Sequence, residues 1–283
     1  MSTAPVTYGD ATITPRGDYG HCHADYTCDQ QWERYTAAEH DLFARLVARQ
    51  MALLPGRACE AFLQALPQLQ ATDRIPRFAD INARLQAATG WEIVAVPGLI
   101  PEDAFFRLLA ARRFPVTVWL RKPEEFDYIV EPDLFHDLFG HVPLLFDPVF
   151  ADYMQAFGLG GLKAEGQDAL QYLARLYWYT VEFGLIRSPQ GLRIYGAGIL
   201  SSGGEAEHSL RSAQARRVPF DLPRLLRSRY RIDDYQATYF IIDNFQQLFE
   251  ATAPDFTPLY AQAAALPEID AGVVLPTEVD EVV

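Results

Sequence analysis

Cysteine is scarce in this chain of 283 residues, with three in all: Cys22, Cys28 and Cys59. Three thiols cannot make a disulfide framework, which excludes a small cross-linked secreted scaffold. Basic residues are in deficit, 24 against 37 acids, for a formal net charge of −13. A surface of that sign repels nucleic acid and anionic membranes, so neither is expected as a partner. No apolar run approaches the ~18 residues of a membrane span. The first twenty residues lack the charged-then-apolar pattern of a secretory leader, and the expected compartment is the cytoplasm. Repeats and sustained heptads are also missing, so a monomer is expected. No stretch has the composition of an interdomain linker. The Gly/Ser-rich run 195–205 has neither G-x-G-x-x-G nor P-loop spacing, which leaves nucleotide binding weakly supported. There is no H-E-x-x-H. A ferritin-like di-iron site needs two Glu-x-x-His motifs, and the one that fits, Glu205…His208, reads as a surface pair.

What is present suits a core. Hydrophobic residues make up 49% of the chain and aromatics 13%, enough at this length to bury a full interior. Residues 1–27, rich in Thr, Gly, Pro and Asp, read as a flexible arm; its His21, Cys22, His23 and Cys28 lack paired Cys-x-x-Cys spacing for zinc. Helical periodicity marks 29–54, 57–66, 78–88 and 102–112, and short β-rich runs occupy 91–96 and 115–120. A helix near 147–157 is expected to break at Gly158-Leu159-Gly160-Gly161. The strongest helix signal is 168–187, with two more helices at 205–215 and 236–251. Residues 268–283 carry five acids and no base and read as a flexible tail. The expected fold is α+β and mainly helical, one compact domain over 28–267 with a few short strands.

Two histidines five apart lie in Glu131-Pro132-Asp133-Leu134-Phe135-His136-Asp137-Leu138-Phe139-Gly140-His141-Val142-Pro143. Pro132 suits a first helical position, and Gly140 suits a left-handed stop before Pro143. On an uninterrupted α-helix, residues five apart sit about 140° around the axis and about 7.5 Å along it. Such imidazoles cannot share an ion unless the helix ends near Gly140. A structural role is the plainer reading, but the apolar neighbours indicate burial, and buried polar groups need partners.

Glu182 lies between Trp178-Tyr179-Thr180-Val181 and Phe183-Gly184-Leu185-Ile186, in a half-helix that is apolar almost all round. A lone carboxylate there is unfavourable. Protonation, an arginine (Arg175 or Arg193) or a metal would each relieve it. With His136 and His141 it would complete the two-His, one-carboxylate set of non-haem iron(II) enzymes, which leaves coordination positions open.

Residues 131–143, the run Tyr177–Leu185 and Tyr195-Gly196-Ala197-Gly198…Leu200-Ser201-Ser202 together resemble the pterin-dependent aromatic amino acid hydroxylases, in order and at family spacing from about residue 90 to 250. The resemblance implies the family's catalytic domain alone, without the regulatory domain and tetramerising helix of the animal enzymes. It implies Fe(II) on His136, His141 and Glu182, and a tetrahydropterin stacked on Phe105 with Leu99 and Ile100 near it. Asp137, where the family usually has glutamate, would stand beside the pterin. Arg121 would pair with the substrate carboxylate, assisted by Ser201, and Pro132, Trp178 and Phe183 would wall the aromatic ring. Ile129 replaces a threonine of the animal enzymes. The activity implied is conversion of L-phenylalanine to L-tyrosine with O2 and tetrahydropterin. Trp178 and Ile232 favour phenylalanine over the tryptophan and tyrosine branches. The alternatives are tryptophan hydroxylation, a non-catalytic sensor of aromatic amino acid or pterin, and a zinc hydrolase.

Overall fold

The residues 134–146 lie at the centre of the molecule, and the other elements wrap them. Leu134, Phe135, Leu138, Phe139, Val142, Leu144 and Leu145 are buried, as a predominantly apolar stretch requires. The computed structural model describes residues 6–8, 11–232 and 234–281.

Around this centre the helix Ala37–Leu53 starts at a capping box between Thr36 and Glu39 and buries Leu42, Phe43, Leu46 and Val47. Glu92–Val96 and Arg113–Thr117 form a parallel pair, joined by the helix Glu102–Ala110, which is the βαβ solution for adjacent parallel strands. A four-stranded sheet has the order Gly191–Ile194, Leu185–Ser188, Thr238–Ile242, Arg216–Pro219. Its hairpin is antiparallel and its other two pairings are parallel. The mainly helical α+β architecture expected from the sequence is the one observed.

Several local expectations give way. The glycines at 158–161 do not break their helix, which runs Pro148–Glu165. They let it touch the helix Glu102–Ala110: a Cβ on Gly158 would fall 2.4 Å from the Ala110 nitrogen, and one on Gly161 1.9 Å from the Phe106 ring. Within 236–251, Thr238–Ile242 is a strand buried at every position and only Phe245–Thr252 is helical. A strand buried on both faces shows no alternation to distinguish it from a helix.

Both ends make contacts with the body where they are described. From Arg16 onward the arm is tied to the body by the Arg16 amide on Glu131 (3.2 Å) and the Tyr19 hydroxyl on the Leu99 carbonyl (2.7 Å). The first residues of the expected arm (1–5, 9 and 10) lie outside the described residues, as do 282–283 of the tail. The acidic tail is pinned by arginines from separate elements. Arg175 holds Glu268, Arg224 meets Glu278 at 2.8 Å, Arg216 meets Asp280 at 3.0 Å, and Arg187 pairs with Glu281. Acids that look solvated in sequence are here the local counter-charge.

Candidate metal centre

Both segments that carry the site leave the α-helical path. His136–His141 and Trp178–Glu182 are π-helical turns, in which hydrogen bonds run from i to i+5 and residues five apart stack on one face. The wide turn removes the α-helical objection to an ion shared by His136 and His141. Gly140 is therefore not a stop, and the chain continues into a 3-10 turn, Val142–Phe146. Its role is proximity: a Cβ there would fall 2.8 Å from the Ala197 carbonyl oxygen. The run 168–187 likewise divides into the helix Leu170–Tyr177, the π-turn, and the strand Leu185–Ser188.

The Nε2 atoms of His136 and His141 face each other at 3.2 Å. Glu182 places Oε1 3.2 Å from His141 Nε2 and Oε2 3.5 Å from His136 Nε2. Among the described residues this is the one set of three such ligand atoms lying within 4.8 Å of one another. Among the described residues the ion pairs of Glu182 are with the two histidines, not with a guanidinium. Arg175 is spent on Glu268 and the Leu226 carbonyl, and Arg193 on the Leu192 carbonyl.

The hydrogen bonds around His136 fix its tautomer. Ser201 Oγ donates to the Ala197 carbonyl (2.9 Å) and lies 2.9 Å from His136 Nδ1. With the hydroxyl proton committed, Nδ1–H is the donor to Ser201, so Nε2 presents a lone pair toward His141 and Glu182. Ser201 thus supports the first histidine, a contact that the sequence did not suggest. Burial weighs most against a charged His136, but the surrounding carboxylates, Glu182 first and then Asp137 and Asp133, together outweigh it and raise its affinity for a proton. For Glu182, burial opposes the anion, and the two imidazoles still hold its carboxyl well below the usual carboxylate range. An anion and two imidazoles sharing a dry site fit a divalent cation, and the mixed nitrogen–oxygen set suits Fe(II).

Two cavities meet here, with Pro132, His136, Trp178 and Glu182 lining both. Arg121, Ile129, Phe183, Ser201 and Ile232 line one of them. Leu99, Ile100, Phe105, Asp137 and His141 line the other, the larger. Every site residue expected from the sequence therefore borders the ion site or one of its two cavities. Arg121 is buried and held flat by Asp133, which accepts from its Nε and Nη2 at 2.9 Å and its backbone N–H at 2.8 Å. Asp133 also accepts from the His136 N–H at 3.0 Å. The sequence reading gives Asp133 no role of its own, and this junction was missed. Asp137 accepts from the Thr117 N–H at 2.8 Å, and burial pushes its carboxyl up. Trp178 packs on Phe183 at 4.8 Å and stacks on Tyr230 at 4.4 Å, and its Nε1 donates to Gln236 (2.9 Å). Tyr230 lay between the expected elements and Gln236 at the start of an expected helix, with no signal of their own. His21, Cys22, His23 and Cys28 do not gather: His21 turns to Asp18 and the Cys22 thiol to the Tyr19 carbonyl.

Comparison with known proteins gives consistent results. Residues 16–257 match the family described as biopterin-dependent aromatic amino acid hydroxylase. The phenylalanine-4-hydroxylase of Chromobacterium violaceum is 58% identical over 269 residues, 94% of this chain and 91% of that protein. That of Ralstonia nicotianae is 59% identical over 252 residues, 89% of this chain and 80% of that protein. The cobalt-bound crystal structure of the C. violaceum enzyme superposes with a TM-score of 0.90 at 58% identity, covering 92% of this chain and 95% of that one. Its iron- and phenylalanine-bound form gives 0.87 at 58% identity, over 91% and 94%. With a family match spanning most of its length, this chain belongs to the biopterin-dependent aromatic amino acid hydroxylases.

Proposed function

We propose that the protein is a phenylalanine 4-monooxygenase, converting L-phenylalanine to L-tyrosine with O2 and a tetrahydropterin. The observation that carries this reading is the meeting of two cavities, of different lining, at one His–His–Glu set. Iron(II) on His136, His141 and Glu182 would supply oxygen activation, and the tetrahydropterin the electrons for it.

The protein's own residues bind, orient and exclude water. Arg121, made rigid by Asp133, offers a guanidinium to the substrate carboxylate, the task for which a planar fork is suited. Pro132, Trp178 and Phe183 enclose the ring and direct its far edge toward the histidines. Ser201 holds the His136 proton on Nδ1, away from the ion. Across the site Phe105 offers a face for a flat heterocycle, with Leu99 and Ile100 beside it and Asp137 at its polar edge. Apolar walls keep water from competing for the ion. The catalytic unit is 28–267, and the two ends brace it. No helix of the described residues is long and apolar enough to cross a membrane, and the cysteines are unpaired. Both fit action in the cytoplasm, and the lack of sustained heptads fits a monomer.

The test is anaerobic loading with Fe(II), then phenylalanine, tetrahydropterin and oxygen, with tyrosine measured. Phenylalanine should give the largest kcat/KM of the three aromatic amino acids. A larger value for tryptophan would replace the substrate. Binding without product would favour a sensor, and oxygen-independent activity with zinc a hydrolase.

A further inference from the structure

Glu205 and His208, expected at the surface, point inward to one residue. Glu205 is buried in the first turn of the helix Gly203–Arg211, borders the cavity that holds Arg121, and has no part in the chemistry above. Its Oε1 accepts from the Gln236 backbone N–H at 2.9 Å and from the Tyr239 hydroxyl. One turn further on, His208 Nε2 donates to the Gln236 carbonyl at 3.1 Å. Both backbone groups of Gln236 are thus held by a single helix face, since residues three apart are neighbours there. The Gln236 side chain then donates to the Arg231 carbonyl (2.8 Å) and accepts from Trp178 Nε1 (2.9 Å). A continuous hydrogen-bonded chain runs Tyr239–Glu205–Gln236–Trp178, from the sheet to the aromatic wall of the cavity.

We propose that Glu205 is a positioning residue for the aromatic substrate: by gripping Gln236 it fixes the edge of Trp178, and its ionised form grips more tightly than its neutral form. This rests on the reading of that cavity as the substrate site. Bonds accepted by a carboxylate are stronger than those accepted by a neutral carboxyl. Burial raises the Glu205 carboxyl to about 7, against the opposing hydrogen bonds from Tyr239 and Gln236. Among the described residues the ionisable groups around this junction are Tyr239 on the adjacent strand, Asp234 and Tyr235 on the covering loop, Tyr235 packing on His208, and His208 on the helix of Glu205 itself. Arg217, on the neighbouring strand, acts on Tyr239. Asp234 favours the neutral carboxyl, whereas the Tyr239 hydrogen bond favours the anion.

The experiment measures phenylalanine affinity by anaerobic calorimetry on the iron-loaded protein, with KM and kcat alongside, from pH 6 to 8.5. Wild-type affinity should weaken about fivefold as pH falls through neutrality, the worth of one strengthened hydrogen bond. Glu205→Gln should show the weak value at every pH, with KM moved more than kcat. Tyr239→Phe removes a bond that favours the anion, so it should shift the wild-type midpoint to higher pH. A Glu205→Gln profile that keeps the wild-type pH limb overturns the proposal. If Glu205→Gln fails to fold, an unshifted midpoint in Tyr239→Phe overturns it instead. A wild type that binds no phenylalanine overturns both this inference and the functional reading beneath it.

Discussion

Every acid in the stretch 268–281 meets an arginine: Glu268 meets Arg175, Asp270 Arg229, Glu278 Arg224, Asp280 Arg216 and Glu281 Arg187. Glu182, far more buried than most of these, meets two imidazoles and no guanidinium. Arginine is set against each of those acids and not against Glu182, so the difference lies in what each place is for. Acids at the margin are neutralised locally and brace the fold. The interior acid keeps its charge for something else, and that incomplete neutralisation marks an ion site more surely than burial alone. Arg121–Asp133 stands between the two cases: a buried, fully matched pair that presents a guanidinium to a cavity.

Six substitutions probe the contrast, in falling order of effect. Replacing His136, His141 or Glu182 by alanine should abolish iron retention and tyrosine formation while leaving the far-ultraviolet circular dichroism unchanged. The loss of iron affinity should exceed the about 10- to 100-fold that removal of a supporting contact costs. A Glu182→Ala protein that retained iron as the wild type does would erase the distinction drawn above. Next, Asp133→Ala leaves a guanidinium buried and unpaired, and urea unfolding should show a loss of about 3–5 kcal/mol, together with a raised KM for the aromatic substrate. Ser201→Ala frees the His136 tautomer. Chelator competition should then report Fe(II) binding about 10- to 100-fold weaker, with little change in melting temperature.

The smallest effects belong to the tail. Asp280→Ala, which breaks a partly exposed pair, should cost only about 0.2–1 kcal/mol, a difference that ~1 M salt should remove. Acid should loosen the same region. The Arg175 hydrogen bond holds the Glu268 carboxyl below its ordinary value. A group depressed in the folded state stabilises fully above its unfolded value and loses that contribution as pH falls through its folded one. Amide protection factors around 266–270 should therefore fall on acidification before those of the core do.

How much of this could be read beforehand depends on how local the cause was. Glu182 was legible because a carboxylate among Trp178, Tyr179, Val181 and Phe183 conflicts with its own neighbours. The centrality of 131–143 was legible from its apolar run. The π-turns were not, because sequence periodicity assumes 3.6 residues per turn, whereas these turns are held by packing around the two segments. Gly140, Gly158 and Gly161 were misread for a related reason: each permits close approach to an element distant in sequence, namely Ala197, Leu109–Ala110 and Phe106. The tail's arginines come from separated elements, and Glu205 and His208 are turned inward by a glutamine nearly thirty positions away. Motif spacing therefore pointed to three side chains that the structure brings together, while the geometry that sets His136 and His141 face to face belongs to the tertiary fold.

The central claim is that His136, His141 and Glu182 hold one iron between two cavities. Anomalous diffraction at the iron edge, on crystals loaded anaerobically with Fe(II), tests it most directly. A single peak within about 2.0–2.3 Å of both Nε2 atoms and of a Glu182 oxygen, lost in Glu182→Ala crystals, is the predicted result. A peak that leaves Glu182 uncoordinated, or iron bound elsewhere with these three side chains unchanged, would contradict the account.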